Sequence, residues 1–205
     1  YWGSILHQRV LKSDTYRQML TDKIEELQKV ITKERVAEMV ETYSAITAPY
    51  LSSLPDQMYA PNTMEEYEKI LELIPNEMDH QYSLYKTSLE SPMPFFLGIP
   101  EQTSEGTMFS WDASYDFDDE EIRYTFEVAE DYLFQNVIST QKELLVPQAY
   151  TEELPPGQYF YRVTAVNESG MTQTAMETYE SIEGVKYYGV VCFYIQLDGS
   201  VVWAS

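Results

Sequence analysis

Up to about residue 91, apolar residues recur at the three- and four-residue spacing of helices that are apolar on one side only. Ser13 is placed to cap a helix whose stripe is Tyr16, Leu20, Ile24, Leu27 and Ile31. Thr32 is placed to cap the next, with Glu34 in its first turn near the positive end of the helix dipole. Its stripe is Val36, Met39, Val40, Tyr43 and Ile46, and it ends near Pro49. Polar turns are expected around Pro55-Asp56 and Pro61-Asn62. Thr63 and Glu66 then fit a capping box ahead of Tyr67, Ile70, Leu71 and Ile74. Pro75 predicts an interruption with a restart at Asn76, after which Met78, Tyr82, Tyr85 and Leu89 keep the helical period. Each helix is one-sided, so the helices need one another or a further partner to cover those stripes.

The period changes at Pro92-Met93-Pro94, which marks the domain boundary. Phe109 and Trp111 share one face of a short strand. Ile122, Tyr124, Phe126 and Val128 alternate with Arg123, Thr125 and Glu127, the two-residue period of a half-buried strand. Leu144 and Val146 suggest another strand. Leu154-Pro155-Pro156-Gly157 is a turn, and Tyr159, Tyr161, Val163 and Ala165 share a face of a long strand. Asn167-Glu168-Ser169-Gly170 turns again. Strands are predicted over about Tyr187–Leu197 and Ser200–Trp203, joined by Asp198-Gly199 as a two-residue hairpin loop. The expected fold class is α+β by segregation: a helical segment over 1–91, then an all-β sandwich over 92–205.

Composition narrows the functional classes. Hydrophobic residues are 44% of the 205, enough for a packed core. The formal net charge is -21. A chain this acidic repels nucleic-acid phosphates and anionic lipid, and no apolar run approaches the length of a membrane span. Cys192 is the only cysteine, so no intrachain disulfide forms. The chain opens on Tyr1-Trp2-Gly3 rather than Met, so residues upstream are expected.

Two resemblances follow. Trp111, then Leu154-Pro155-Pro156-Gly157, then Tyr159-x-Tyr161-x-Val163-x-Ala165-Val166-Asn167-x-x-Gly170 is similar to the fibronectin type III family. Tyr159 matches the family's tyrosine-corner position, where the hydroxyl ties the strand to the preceding loop. The chain as a whole resembles the C-terminal part of the spore coat protein H (CotH) kinase family. The matching stretches are Leu11-x-x-Asp14-x-Tyr16-Arg17, Tyr43-x-x-x-x-x-Pro49-Tyr50, Leu54-Pro55-Asp56, Tyr85-x-x-Ser88-Leu89-Glu90-x-Pro92-Met93-Pro94-Phe95 and Phe109-Ser110-Trp111-Asp112-x-Ser114-Tyr115-Asp116. That resemblance implies an atypical protein kinase of spore coats or cell surfaces, using ATP and a divalent metal. This segment carries no Gly-rich phosphate loop, catalytic-loop motif or metal-binding Asp-Phe-Gly. The resemblance therefore implies a noncatalytic region that holds no ATP or metal of its own, braces the kinase fold and contacts a coat or surface protein.

Several residues invite chemistry, each with a plainer alternative. Asp116-Phe117-Asp118-Asp119-Glu120-Glu121 offers oxygens for calcium but lacks the EF-hand spacing, and otherwise reads as a solvated loop. Paired carboxylates suggest glycoside hydrolysis, but with 34 acids some pair meets the required separation by chance. His7 and His80 lack a second ligand at metal spacing. Cys192 sits in an apolar strand and reads as a small buried thiol. No nucleophile, base and orienting group can be named together, so no catalytic, cofactor or metal residue is assigned. Tyr115, Tyr132, Tyr150, Tyr179, Tyr187 and Tyr188 lie outside the core pattern and could stack on sugar rings. They support the alternative function, a carbohydrate-binding or adhesion module; the plainer reading is partial burial with a polar tip.

Overall fold

The computed structural model describes residues 5–203. The chain divides between Thr87 and Ser88 into two compact units, one helical and one of β-structure, just ahead of the Pro92–Pro94 run. Among the described residues, no helix is long and apolar enough to cross a membrane.

The helical unit contains α1 (Ile5–Leu11), α2 (Asp14–Val30), α3 (Lys33–Leu51), α4 (Leu54–Gln57) and most of α5 (Met64–Glu90). Local signals set several of its ends. The Thr32 hydroxyl accepts the Arg35 amide at 3.2 Å, capping α3. Thr63 and Glu66 form the full reciprocal box: Glu66 Oε2 accepts the Thr63 amide at 2.8 Å, and Thr63 Oγ1 accepts the Glu66 amide at 3.3 Å. Ser13 sits at the N-cap of α2, but its side chain makes no capping bond. Its carbonyl instead accepts the amides of Tyr16 and Arg17.

Two prolines depart from their expected roles. Pro75 lies inside an unbroken α5, while Pro49 stands in the last turn of α3, which ends at Leu51, near Pro49 as expected. Each removes one amide donor from its helix, yet the bonds on either side hold the turn. Continuity keeps Tyr67, Leu71, Ile74, Met78, Tyr82 and Tyr85 on one half-buried stripe. Pro55-Asp56 is not a simple turn but the start of the short α4, where proline's missing amide costs nothing. Helix α2 meets α5 through Thr21 Oγ1 and Tyr85 Oη at 2.9 Å, and through Tyr82 Oη donating to Glu25 at 3.1 Å. Helix α3 meets α5 through Thr47 and Tyr67, 3.1 Å apart.

The second unit is a sandwich. Its smaller sheet runs β1-β2-β5, with β1 at Glu101–Thr103, β2 at Gly106–Ser110 and β5 at Gln148–Thr151. Its larger sheet runs β11-β10-β6-β3-β4, with β7 also on β6. These strands are β3 (Arg123–Ala129), β4 (Val137–Leu144), β6 (Gly157–Val166), β7 (Thr172–Thr174), β10 (Val190–Ile195) and β11 (Val201–Trp203). A separate hairpin pairs β8 (Thr178–Glu180) with β9 (Lys186–Tyr188). Strand order and antiparallel pairing make this a fibronectin type III-like sandwich.

Its core is the alternation made physical. Tyr124, Phe126 and Val128 of β3 and Tyr159, Tyr161, Val163 and Ala165 of β6 all point into one cluster with Phe109 and Trp111. Phe109, from the small sheet, touches Phe126, Tyr161 and Phe193 of the large one, with ring centroids 4.7, 5.1 and 5.7 Å away. The Tyr159 hydroxyl donates to the Pro155 carbonyl at 2.9 Å and closes the tyrosine corner.

Three strand expectations change. Val146 is exposed in the link between β4 and β5, while β4 itself covers Val137–Leu144. It is an edge strand with little buried surface, so no alternation marks it. The predicted Tyr187–Leu197 strand breaks at Gly189 (φ +76) into β9 and β10. A Cβ there would lie 2.8 Å from the Thr174 side chain. The Asp198-Gly199 turn is a three-residue loop: Gln196 donates to Ser200 O at 2.8 Å, and Gly199 takes the left-handed conformation.

Truncating the ring at the centre should cost far more than truncating an apolar residue of the helices. Phe126→Ala is expected to lower the sandwich's unfolding free energy by about 3–5 kcal/mol. Tyr159→Phe should cost about 1 kcal/mol. Ile70→Ala, at a side chain 45% exposed, should cost well under either. Urea titrations of the full chain, following Trp111 for the sandwich and far-UV dichroism for the helices, check all three.

Candidate functional site

Asp116, Asp119, Glu120 and Glu121 of the acidic stretch border one pocket of 380 Å³ with Tyr115 and Tyr124, but their carboxylates turn to different partners. Asp116 is buried and turned inward: it accepts Asn167 Nδ2 at 2.9 Å and the Asp118 amide at 2.8 Å. Glu120 turns to Ser169, which donates both its amide and its hydroxyl. Those bonds hold the Glu120 carboxyl below the usual carboxylate range. Glu121 turns to Arg123, 2.6 Å away. The acids thus serve three different neighbours, and Asn167 links Asp116 to the Glu90 carbonyl at 3.0 Å. Among the described residues, no group of three His, Cys, Asp or Glu side chains is arranged to hold a metal.

His7 and His80 lie exposed on α1 and α5. Cys192 is buried in β10 beside Ala129, Phe160 and Val190, on the side of the sheet opposite the main core. Its sulfur accepts Gln158 Nε2 at 3.2 Å, and burial pushes the thiol up from its ordinary value.

Three of the six singled-out tyrosines come together. Tyr132, Tyr179 and Tyr187 pack with Phe160 on the outer face of the large sheet. Ring centroids are 5.4 Å for Tyr132–Tyr179, 4.9 Å for Tyr132–Tyr187 and 5.1 Å for Phe160–Tyr179. Tyr188 stands beside them, 72% exposed. Tyr115 packs edge-on against Phe117, 5.8 Å away, and Tyr150 lies on β5 of the other sheet, so neither joins the group. Alongside the cluster opens a groove of 520 Å³, lined by Tyr132, Tyr187, Tyr188, Glu127, Arg162 and Thr164 among others. Arg162 pairs with Glu127 at 2.7 Å and lies over the Phe134 ring at 4.0 Å. Sequence reasoning found these tyrosines but not Glu127, Arg162 or Thr164. Their only signal was falling on the polar phase of strands β3 and β6.

The helical unit carries a second feature. Among the described residues, none in α2, α3, α4 or α5 is buried. Met39, Tyr43 and Ile46, on the predicted stripe of α3, are 47%, 60% and 59% exposed. Val36 and Val40 of α3, Tyr67, Leu71 and Ile74 of α5, and Ile31 line an apolar groove of 570 Å³.

One half-buried carboxyl, that of Glu177, has no counterpart in the sequence reading. Glu177 Oε1 accepts the Leu97 amide at 3.0 Å, while its Oε2 is buried without a hydrogen-bond partner. Burial pushes this carboxyl above its ordinary value.

No family model matches the chain, and no curated protein matches it. Among solved structures, the twitchin kinase region from C. elegans (Fn31-NL-kin-CRD-Ig26) is 16% identical with a TM-score of 0.30, over 47% of this chain and 19% of that one. An FN3tt mutant is 18% identical with a TM-score of 0.27, over 42% of this chain and 90% of that one.

Two outcomes are expected. Asp116→Ala leaves Asn167 short of a buried partner and should lower stability by about 1–3 kcal/mol, while millimolar calcium should leave the melting temperature of the unmodified chain unchanged. Calorimetric scans with and without calcium check both. For Glu177, the folded pKa lies above the unfolded one, so the folded state holds the proton more tightly. Its contribution is fully present below the ordinary carboxyl pKa of about 4.3 and is lost as pH rises through the raised folded value. Glu177→Gln keeps the acceptor for Leu97 and should flatten the fall relative to the parent chain, read from urea midpoints between mild acid and neutrality.

Proposed function

We propose that this chain is a noncatalytic C-terminal region of a CotH-like kinase of a spore coat or cell surface. In this reading the helical unit completes or braces the kinase fold, and the sandwich mediates contact with a protein partner. The observation that carries it is the uncovered helical unit: its stripes are apolar at helical spacing, yet no side chain of α2 to α5 is buried. Burying such a residue contributes about 1.5–3 kcal/mol. Helices that expose Met39, Tyr43, Ile46 and Ile70 forgo that stabilisation until another surface covers them. A kinase catalytic domain, placed by the CotH resemblance next to these helices, is that surface. Phosphoryl transfer needs a cation at the phosphates and carboxylates holding metal. Among the described residues, no group of three His, Cys, Asp or Glu side chains is arranged to hold a metal.

The test is a hydrogen-exchange measurement on the full chain, alone and mixed with a CotH-family catalytic domain, beside a titration with ATP and magnesium. Amides of α3 and α5 are expected to exchange much faster than those of β3 and β6 in the chain alone, and to slow on mixing. ATP should produce no binding heat. Micromolar ATP affinity of the chain alone, or helices already as protected as the sandwich core, would overturn the reading.

A further inference from the structure

We propose that the groove on the outer face of the large sheet is a binding site for a neutral oligosaccharide. The floor is set by strand register. Glu127 of β3 stands opposite Arg162 of β6, and Thr164 of β6 stands opposite Thr174 of β7. These side chains occupy the phase that points away from the main core, and all four line the groove. They supply the charge pair and the two hydroxyls that a sugar's hydroxyl groups need. The wall is set by Gly189. Its left-handed turn ends β9, and Val190 beyond it pairs with Arg162, so Tyr187 and Tyr188 border the floor.

The tyrosine rings are held before any ligand arrives. Tyr132 packs on Phe160, Tyr179 and Tyr187, with centroids 6.0, 5.4 and 4.9 Å away. A ring fixed by its neighbours loses little freedom on binding. Tyr188 is left 72% exposed with a free face for a pyranose ring. The volume of 520 Å³ lies within the range of small-molecule sites.

Charge selects a neutral ligand. Arg123, Lys142, Arg162 and Lys186 are the only Lys or Arg residues after Ser88, against twenty Asp and Glu. The two basic residues at the groove are already engaged: Arg162 with Glu127 at 2.7 Å, Lys186 with Glu180 at 3.9 Å. Uronates and phosphorylated glycans would meet a repelling field with no spare cation. This inference stands independently of the kinase-bracing role, since it uses only residues of the sandwich.

The experiment is heteronuclear NMR of the full chain titrated with cellohexaose, chitohexaose and mannohexaose, with oligogalacturonate as the anionic arm. At least one neutral hexaose should shift the amides of Thr164, Lys186 and Tyr188 with a Kd on the order of a millimolar or tighter. Tyr188→Ala, at a side chain outside the core, should weaken that binding by about fivefold or more. Tyr150→Ala, on the other sheet, should leave it unchanged. No shift with any neutral hexaose on a folded sample, binding of oligogalacturonate alone, or binding indifferent to Tyr188→Ala would each overturn the proposal.

Discussion

The ring of Phe109 is the constraint on which the sandwich depends. It comes from the small sheet and is fully buried against Phe126, Tyr161 and Phe193 of the large one. Two sheets that share one ring in this way cannot slip in register without exposing it, because a one-residue shift turns every core side chain outward. Trp111 extends the same layer, stacked on Phe126 at 6.2 Å and edge-on to Tyr124 at 5.5 Å. The tyrosine corner at Tyr159 then fixes where β6 begins, and β6 carries the register of β3, β7 and β10.

Because that core takes only one face of β3 and β6, the other face is free to differ. Here it carries a second, smaller apolar cluster of Ala129, Phe134, Phe160, Val190 and Cys192, with Tyr132, Tyr179 and Tyr187 packed against it. The β8–β9 hairpin supplies two of these tyrosines. Polar residues of the same strands lie beside an aromatic layer instead of bulk water, and Arg162 is held between Glu127 and Phe134. The proposed oligosaccharide site rests on that asymmetry.

The helical unit obeys a different balance. Local signals set several of its helix ends, with the Thr63–Glu66 box fully formed. Its helices meet through tyrosine hydroxyls such as Tyr82, Tyr85 and Tyr67 and through half-buried apolar stripes, with no side chain of α2 to α5 fully buried. Local propensity is sufficient to shape such helices, whereas most helical stability comes from packing an apolar face. The exposed stripe of α3 is therefore the feature to which a functional reading of this unit must answer.

Much of the fold was legible along the chain because its signals are local. Alternation at Tyr124, Phe126 and Val128 and at Tyr159 to Ala165 marked the two central strands, and Thr32 and Thr63 marked two helix starts. Strand β4 was legible only at its last residue, Leu144, since an edge strand buries too little for alternation to mark its length. The passage of α5 through Pro75 was not legible either, since a proline's local penalty is outweighed by the turns around it. For the candidate site, the tyrosines stood out by composition. Their partners Glu127, Arg162 and Thr164 did not, because a polar residue on a strand looks the same whether it faces water or a groove. The sequence by itself determined which residues face a core, through periods of two and of three to four. Only the tertiary structure decided which outward faces meet, because cross-strand register and the reversal at Gly189 bring together residues that no local spacing relates.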